Sequence, residues 1–222
     1  MSLLDRRNVA CRDHAGQRGR PGGERVRGSR MATTVTLVAA GATASTRQSA
    51  LPRPDEPLLA APAALPTRLA AAWCGPELRC VQTAAALGWS AVPAEPLRDI
   101  DAGRWIGRTS ADLLESEPEA FVTWLRDPVF RAPGGESFAH LVLRAGGWAG
   151  DAGGAGWPHG RVALVVAPMV VRSMILALVG WPAVDGHGID VAPLDVFQVR
   201  GTPGRWRLRA GRSLSDGGTA DE

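Results

Sequence analysis

The sequence predicts a three-layer α/β/α domain built on a mostly parallel central sheet. Three observations predict it. Short β-rich apolar runs alternate with helical stretches, the pattern of a parallel α/β sheet. The run at residues 161–167 (RVALVVA) is apolar almost throughout, as in a strand covered on both faces. Two helical stretches stop at a glycine, Gly88 and Gly180, the residue that most readily takes a left-handed C-terminal cap. A chain of 222 residues, 45% apolar and 21% charged, suits one such domain with tails.

The elements follow in order. Residues 1–30 are rich in Gly and Arg and have almost no apolar periodicity, which predicts a disordered basic tail. Met31 opens the first strand-like run. The segment before it reads either as a translation artefact or as a basic arm. The strand over 33–39 (TTVTLVA) comes next, then a second over 69–74 (LAAAWC). A helix over 77–87 follows Gly75-Pro76. Thr109 with Asp112 matches a capping box, and Ser116 with Glu119 matches another, with Pro118 in a first turn. The stretch 146–160 is Gly-rich and reads as a flexible connection. A helix over 170–179 directly follows the third strand, and late strands are predicted at 194–199 and 205–209. The domain is therefore expected over 31–212, with a disordered tail over 213–222.

Composition excludes several classes. Every basic side chain is Arg, and there is no Tyr, so a Schiff-base lysine and a catalytic tyrosine are ruled out. Cys11, Cys74 and Cys80 are odd in number and lack metal-ligand spacing; free thiols in a reducing cytoplasm are expected. No apolar stretch approaches the ~18 residues of a membrane span, and no secretory h-region is visible. The net charge of +3 misleads, because the first 30 residues hold eight Arg against three acids. That leaves −2 on the rest, so nucleic acid is not an expected partner for the fold. A small anionic or carboxylated metabolite is the expected partner, with a homodimer left open. No metal and no cofactor is expected.

In open α/β sheets, ligands bind beyond the carboxyl ends of the strands. Three turns should converge there: Ala39 to Thr43, Cys74-Gly75-Pro76, and Ala167-Pro168-Met169. Thr43, Ser45, Thr46, Arg79 and Glu136 are the polar groups within reach. A helix N-terminus and the guanidinium fork of Arg79 would form the floor of an anion site.

These turns resemble, in order, the motifs of the histidine phosphatase (phosphoglycerate-mutase-like) superfamily. The stretch Leu37-Val38-Ala39-Ala40-Gly41-Ala42-Thr43 is similar to a strand running into Arg-His-Gly-x-Thr, with Ala39 and Ala40 at the arginine and nucleophile positions. Asp55-Glu56-Pro57-Leu58 resembles the loop that follows. The run from Gly75 to Ala84 resembles Ser-Pro-x-x-Arg-x-x-x-Thr-Ala, with Arg79, Thr83 and Ala84 kept. Residues 97–107 (LRDIDAGRWIG) resemble the acidic Gly-x-Trp-x-Gly segment. In residues 133–137 (PGGES), Glu136 matches the proton donor. Residues 164–172 (LVVAPMVVR) resemble a strand, a histidine and an arginine five residues on; Arg172 fits and Ala167 holds the histidine position. The resemblance implies a phosphoglycerate-mutase-like α/β/α fold.

It also implies a mechanism that this chain cannot run. That mechanism needs an imidazole nucleophile, a second histidine and two arginines, and an alanine methyl can neither attack nor carry charge. Loss of a nucleophile alone removes most of the rate. The remaining histidines are His14, His140, His159 and His187. His140 reads as exposed or capping, and His187, in the turn after the 170–179 helix, as the one that could overhang the pocket. Glu136 reads either as a helix cap or as an acid/base group in a pocket short of cations. Asp99 and Asp101 read as solvated or as loop anchors, and Trp105, Trp124 and Trp148 as packing. Three functions stay open. One is a repurposed enzyme with Glu136 catalytic and with Arg79, Thr43, Thr46, Ala39, Ala40, Ala167 and His187 around the substrate, performing an isomerisation, elimination or cyclisation. Another is a non-catalytic pseudophosphatase binding an anion or a protein. The third is a phosphatase inactivated by engineered His-to-Ala changes.

Overall fold

The computed structural model describes residues 32–151 and 156–214, without the side chains of 151, 187 and 210–212. The basic tail expected over 1–30 lies outside the described residues. Six strands form one sheet: β1 (Thr33–Ala39), β2 (Ala71–Cys74), β3 (Val92–Pro93), β4 (Gly160–Val166), β5 (Asp195–Thr202) and β6 (Arg205–Ser213), in the order β3-β2-β4-β1-β5-β6. β1, β2, β3 and β4 pair in parallel, while β5 and β6 add antiparallel strands at one edge. This is the mostly parallel sheet that the alternation of strands and helices predicts.

The apolar strands bury both faces. On one face Val35, Leu37, Leu164 and Val166 pack with α5 (Phe138–Asp151) and α6 (Pro168–Val179). On the other, Val38, Ala163 and Val165 meet Cys80, Ala84 and Leu87 from α2 (Leu78–Ala86) and the turn after it. α6 is apolar nearly all round and is correspondingly buried, as a helix without a polar face must be. It ends at Gly180, which takes φ 80°, the left-handed cap expected of that glycine. Cys74 and Cys80 are free and buried. Burial and the neighbouring Glu77 carboxylate push the Cys74 thiol up to about 11 and Cys80 well above its usual range, so both are unreactive.

Two local expectations are corrected. The first six residues of the stretch expected as a flexible Gly-rich connection over 146–160 are helix instead, since α5 runs to Asp151 through Gly146, Gly147 and Gly150. A side chain at Gly146 would meet the Ala177 methyl at 3.0 Å, so the glycine lets α5 lie close against α6. Burial of Ala145, Trp148 and Ala149 offsets a helix penalty of about 1 kcal/mol per glycine. Ser116 does not cap the next helix either. Its hydroxyl donates to Asp112 O at 2.6 Å within α3 (Ser110–Ser116) and accepts from Arg108. The N-cap of α4 (Pro118–Arg126) is Glu117, whose carboxylate is taken by Arg104, Arg108 and the Trp105 indole N–H. The Thr109–Asp112 capping box forms as read.

Between β3 and α5 the chain builds a small module over the C-terminal ends of the strands. Its core is Trp105, Leu113, Phe121, Trp124 and Ala132. The three aromatic rings pack on one another at centroid separations of 5.9 to 6.1 Å. This module supplies one wall of the site.

Candidate functional site

The three turns do converge. The Ala40 N–H donates to Val166 O at 2.8 Å and the Gly75 N–H to Val165 O at 3.0 Å, so the ends of β1 and β2 both lean on the end of β4. The Gly41 N–H donates to the Thr83 hydroxyl at 3.0 Å, which ties the first turn to α2. Above them lies a cavity of about 240 Å³, whose lining includes Ala40, Thr46, Arg79, Asp99, Trp124 and Pro168.

Arg79 opens the first turn of α2 and is 2% exposed. Its guanidinium donates to Asp99 Oδ2 at 2.6 Å and to Arg53 O at 3.3 Å. Glu77, also buried, reaches under this pair and accepts the Asp99 backbone N–H at 2.6 Å. Burial raises the Asp99 carboxyl, the Arg79 charge lowers it and the Glu77 charge raises it again, leaving it at about 6. Asp99 is thus neither solvated nor merely an anchor. It is a carboxyl that changes charge near neutral pH, facing a buried arginine in a cavity. Its position within LRDIDAGRW offered no signal that separated it from Asp101. Asp101 does anchor its loop, accepting the Gly103 N–H at 2.8 Å.

Glu136 sits beside this cavity and is not among its lining residues. The pocket poor in cations that sequence reading assigned to it is replaced by an ion pair. Arg144, projecting from α5, donates to Glu136 Oε1 at 2.5 Å, and the same oxygen accepts the Asp101 N–H at 3.1 Å. Arg144 also donates to the carbonyls of Pro96, Arg98 and Asp99. Glu136 and Arg144 therefore clamp the loop that carries Asp99. The clamp leaves little room, because a Cβ at Gly135 would fall 2.1 Å from Asp101 O, and one at Gly103 would fall 2.3 Å from Pro133 O. Gly135→Ala is expected to cost about 3 kcal/mol of stability through this backbone clash; urea denaturation at pH 7 would measure it.

The other sequence candidates fall into three groups. Ala40 lines the cavity, whereas Ala39 and Ala167 are fully buried in the core beneath α5 and α6. Thr46 lines the cavity, while Thr43 is buried and caps α1 (Ala44–Arg47) in a reciprocal box with Thr46. His187 lies in the 3₁₀ turn Ala183–Gly188, and its side chain is outside the described residues. His140 is exposed on α5.

Two further residues near the cavity, both inside motifs quoted from the sequence, have surroundings that the sequence did not foretell. Arg172 lines a smaller recess of about 70 Å³ that shares Trp124, Leu125 and Met169 with the main cavity. Its Nε is buried and unpartnered, and its nearest carboxylate is the fully exposed Asp190 at 3.9 Å. The second is Glu56. Its carboxylate accepts the hydroxyl and N–H of Ser45 and the Arg53 N–H. Burial alone would raise it; hydrogen bonds from Ser45, Arg53 and Thr43 outweigh that and hold it at about 2. A lowered carboxyl contributes stability above its unfolded value of 4.5 and loses it as pH falls toward 2. Glu56→Gln should therefore lower the melting temperature at pH 7, and the gap to the parent should close on acidification to pH 2.

Among the described residues, no three His, Cys, Asp or Glu side chains cluster as a metal site, and no helix is long and apolar enough to cross a membrane.

Comparison with known proteins places this geometry. The model of the histidine phosphatase superfamily (branch 1) matches residues 58–212. A solved mycobacterial glucosyl-3-phosphoglycerate phosphatase in complex with VO3 superposes with a TM-score of 0.68 at 20% identity, covering 79% of this chain and 96% of that one. The α-ribazole phosphatase of Shigella flexneri superposes with a TM-score of 0.71 at 18% identity, covering 84% and 100%. A bifunctional protein of Mycobacterium tuberculosis is 39% identical over 64 residues, 29% of this chain and 18% of its own length, so the chain spans under a fifth of that relative. With residues 58–212, more than half of its length, matched by the family model, the chain belongs to the histidine phosphatase superfamily.

Proposed function

We propose that this protein binds a small anionic metabolite in the cavity above Ala40 and acts on it without a phosphohistidine, using Arg79 for charge and Asp99 for proton transfer. The observation that carries this reading is the pairing of a methyl with a tuned carboxyl. At the nucleophile position stands Ala40, which can attack nothing. Asp99 lines the same cavity, its carboxyl near 6 and hydrogen-bonded to a buried guanidinium. A carboxyl in that range serves as both acid and base near neutral pH. The acid/base role moves from Glu136 to Asp99, and Glu136 becomes a positioning residue. Isomerisation, elimination or cyclisation of a carboxylated or phosphorylated metabolite fits these groups. The names of the solved relatives, which cite phosphoglycerate and α-ribazole, support an anion of that size.

A second reading is a binder that catalyses nothing. Its support is that the two groups already satisfy each other at 2.6 Å, so the pair is structurally complete without a substrate.

The test uses the full chain. Turnover of an aryl phosphate should be indistinguishable from buffer, and a thermal-shift screen of carboxylated and phosphorylated metabolites should give a hit. Deuterium from solvent should enter that metabolite and should cease to do so in Asp99→Asn. Incorporation that persists in Asp99→Asn sinks the assignment of Asp99. Binding with no incorporation at any pH favours the second reading.

A further inference from the structure

On the side of the sheet away from α5 and α6, α2 packs on β2 and β4. Over β1, β5 and β6 the same face turns polar. The strand register puts Arg161, Thr34, Arg200 and Arg207 in one row across β4, β1, β5 and β6. The next row carries Ala163, Thr36, Gln198 and Arg209. Arg161, Arg200 and Arg209, with Thr34, Thr36 and Gln198, line a cleft of about 260 Å³. Val196 and Trp89, both almost fully buried, also border it, and the Trp89 indole N–H is already used by Leu65 O.

The charges here are unbalanced. Strands lie about 4.8 Å apart, so side chains in one row are close neighbours, and like charges directly opposite destabilise a sheet. Arg200 and Arg207 are such a pair. Among the described residues, no carboxylate lies within ion-pair distance of Arg161, Arg200, Arg207 or Arg209. The chain beyond residue 30 is net acidic, so this concentration of arginine is local. Thr34 and Thr36 stand four to six residues before Ala40 on β1, which separates the cleft from the cavity by roughly 15 Å along the strand.

The geometry points to a second anion site, a cleft for a small ligand that carries a diphosphate group. Three guanidiniums converging on one cleft match a charge of about three, more than a single carboxylate or phosphate monoester supplies. Hydroxyls and an amide between the arginines donate to the remaining oxygens, and among the described residues no acid competes for the guanidiniums. Two sources share this chemistry, inorganic pyrophosphate and the diphosphate of a nucleotide. The site stands apart from the proposed activity at Asp99 and does not depend on it.

The experiment is a proton–nitrogen NMR titration of the full chain with pyrophosphate and, separately, with ADP at constant ionic strength. The amides of Thr34, Thr36, Gln198 and Arg200 should shift saturably with at least one of the two probes. Tighter binding of ADP identifies the nucleotide source, and equal or tighter binding of pyrophosphate the inorganic one. Arg200→Ser and Arg161→Gln should each weaken the binding by about fivefold or more, the loss of one charge-assisted contact. Arg200→Ser should also raise the melting temperature at low salt, because it removes a repulsion; this reports that the variant is folded. Shifts confined to Ala40, Gly41 and Arg79, or shifts at Thr34 and Thr36 that Arg200→Ser leaves unchanged, overturn the proposal.

Discussion

Arg79→Leu should destabilise the protein by about 3–5 kcal/mol at pH 8, the range for removing one partner of a buried ion pair. Arg79 is almost fully buried and is the cation within direct reach of Asp99 Oδ2. Without it, Asp99 faces the Glu77 charge with no counter-charge beside it, and that charge raises the cost of ionising Asp99. The loss should shrink at pH 5, where Asp99, already at about 6 with Arg79 present and higher without it, is neutral. The double variant Arg79→Met/Asp99→Leu should recover much of the loss, since an apolar pair of similar volume removes the unpaired charge at position 99 and leaves Glu77 its hydrogen bond from the backbone N–H there. Urea melts at the two pH values would check all three statements. A loss that is the same at pH 5 and pH 8 would assign the effect of Arg79 to packing alone.

Much of this architecture is legible in the amino-acid sequence, for reasons that differ by element. β4 is legible because a strand covered on both faces has no polar position to confuse the pattern. The ends of β1, β2 and β4 are legible as a site because parallel topology forces them together whatever their residues. The C-terminal part of α5 is not legible, because its glycines read locally as a loop; the close approach of Gly146 to Ala177 shows why the helix takes a glycine at that position. The Ser116 box fails because a tertiary competitor, Arg108, takes its hydroxyl.

Within the site, Arg79 is legible from its place at a helix start. Asp99 and Glu136 are not separable from sequence. The difference between them is made by Arg144, more than 40 residues from Asp99 in the chain, which hydrogen-bonds the Glu136 carboxylate but hydrogen-bonds Asp99 only at its backbone oxygen. Pairing of this kind is set by where α5 docks, and no local spacing encodes it. The same holds for the arginine rows over β1, β5 and β6, which exist only once the strand register is known.

The second large effect concerns pH. The Asp99 carboxyl is raised from 3.8 to about 6, so the folded protein holds a proton that the unfolded chain has released over that window. Where the native state binds more protons, stability falls as pH rises. The parent should therefore lose about 2 kcal/mol between pH 4 and pH 7 from this one group, at about 1.4 kcal/mol for each pH unit that separates the folded and unfolded carboxyl and with the remainder lost below pH 4. Glu56 acts with the opposite sign and in a lower window, so the two separate on a pH scan. Asp99→Asn should flatten the curve between pH 4 and 6 and leave the acid limb below 4 intact. The same titration governs the cavity. Ionised Asp99 occupies the guanidinium of Arg79 and repels an incoming anion; protonated Asp99 does neither. Anion binding at Arg79 should take up one proton, so affinity should rise as pH falls through 6, by at most about tenfold per pH unit. In Asp99→Asn that dependence should vanish, with affinity at pH 7.5 as high as the parent reaches near pH 5. Calorimetry in two buffers of different ionisation enthalpy counts the proton directly. An uptake near zero in the parent would mean that the anion seats away from Arg79, and the shallow recess beside the unpartnered Arg172 Nε would then be the place to look.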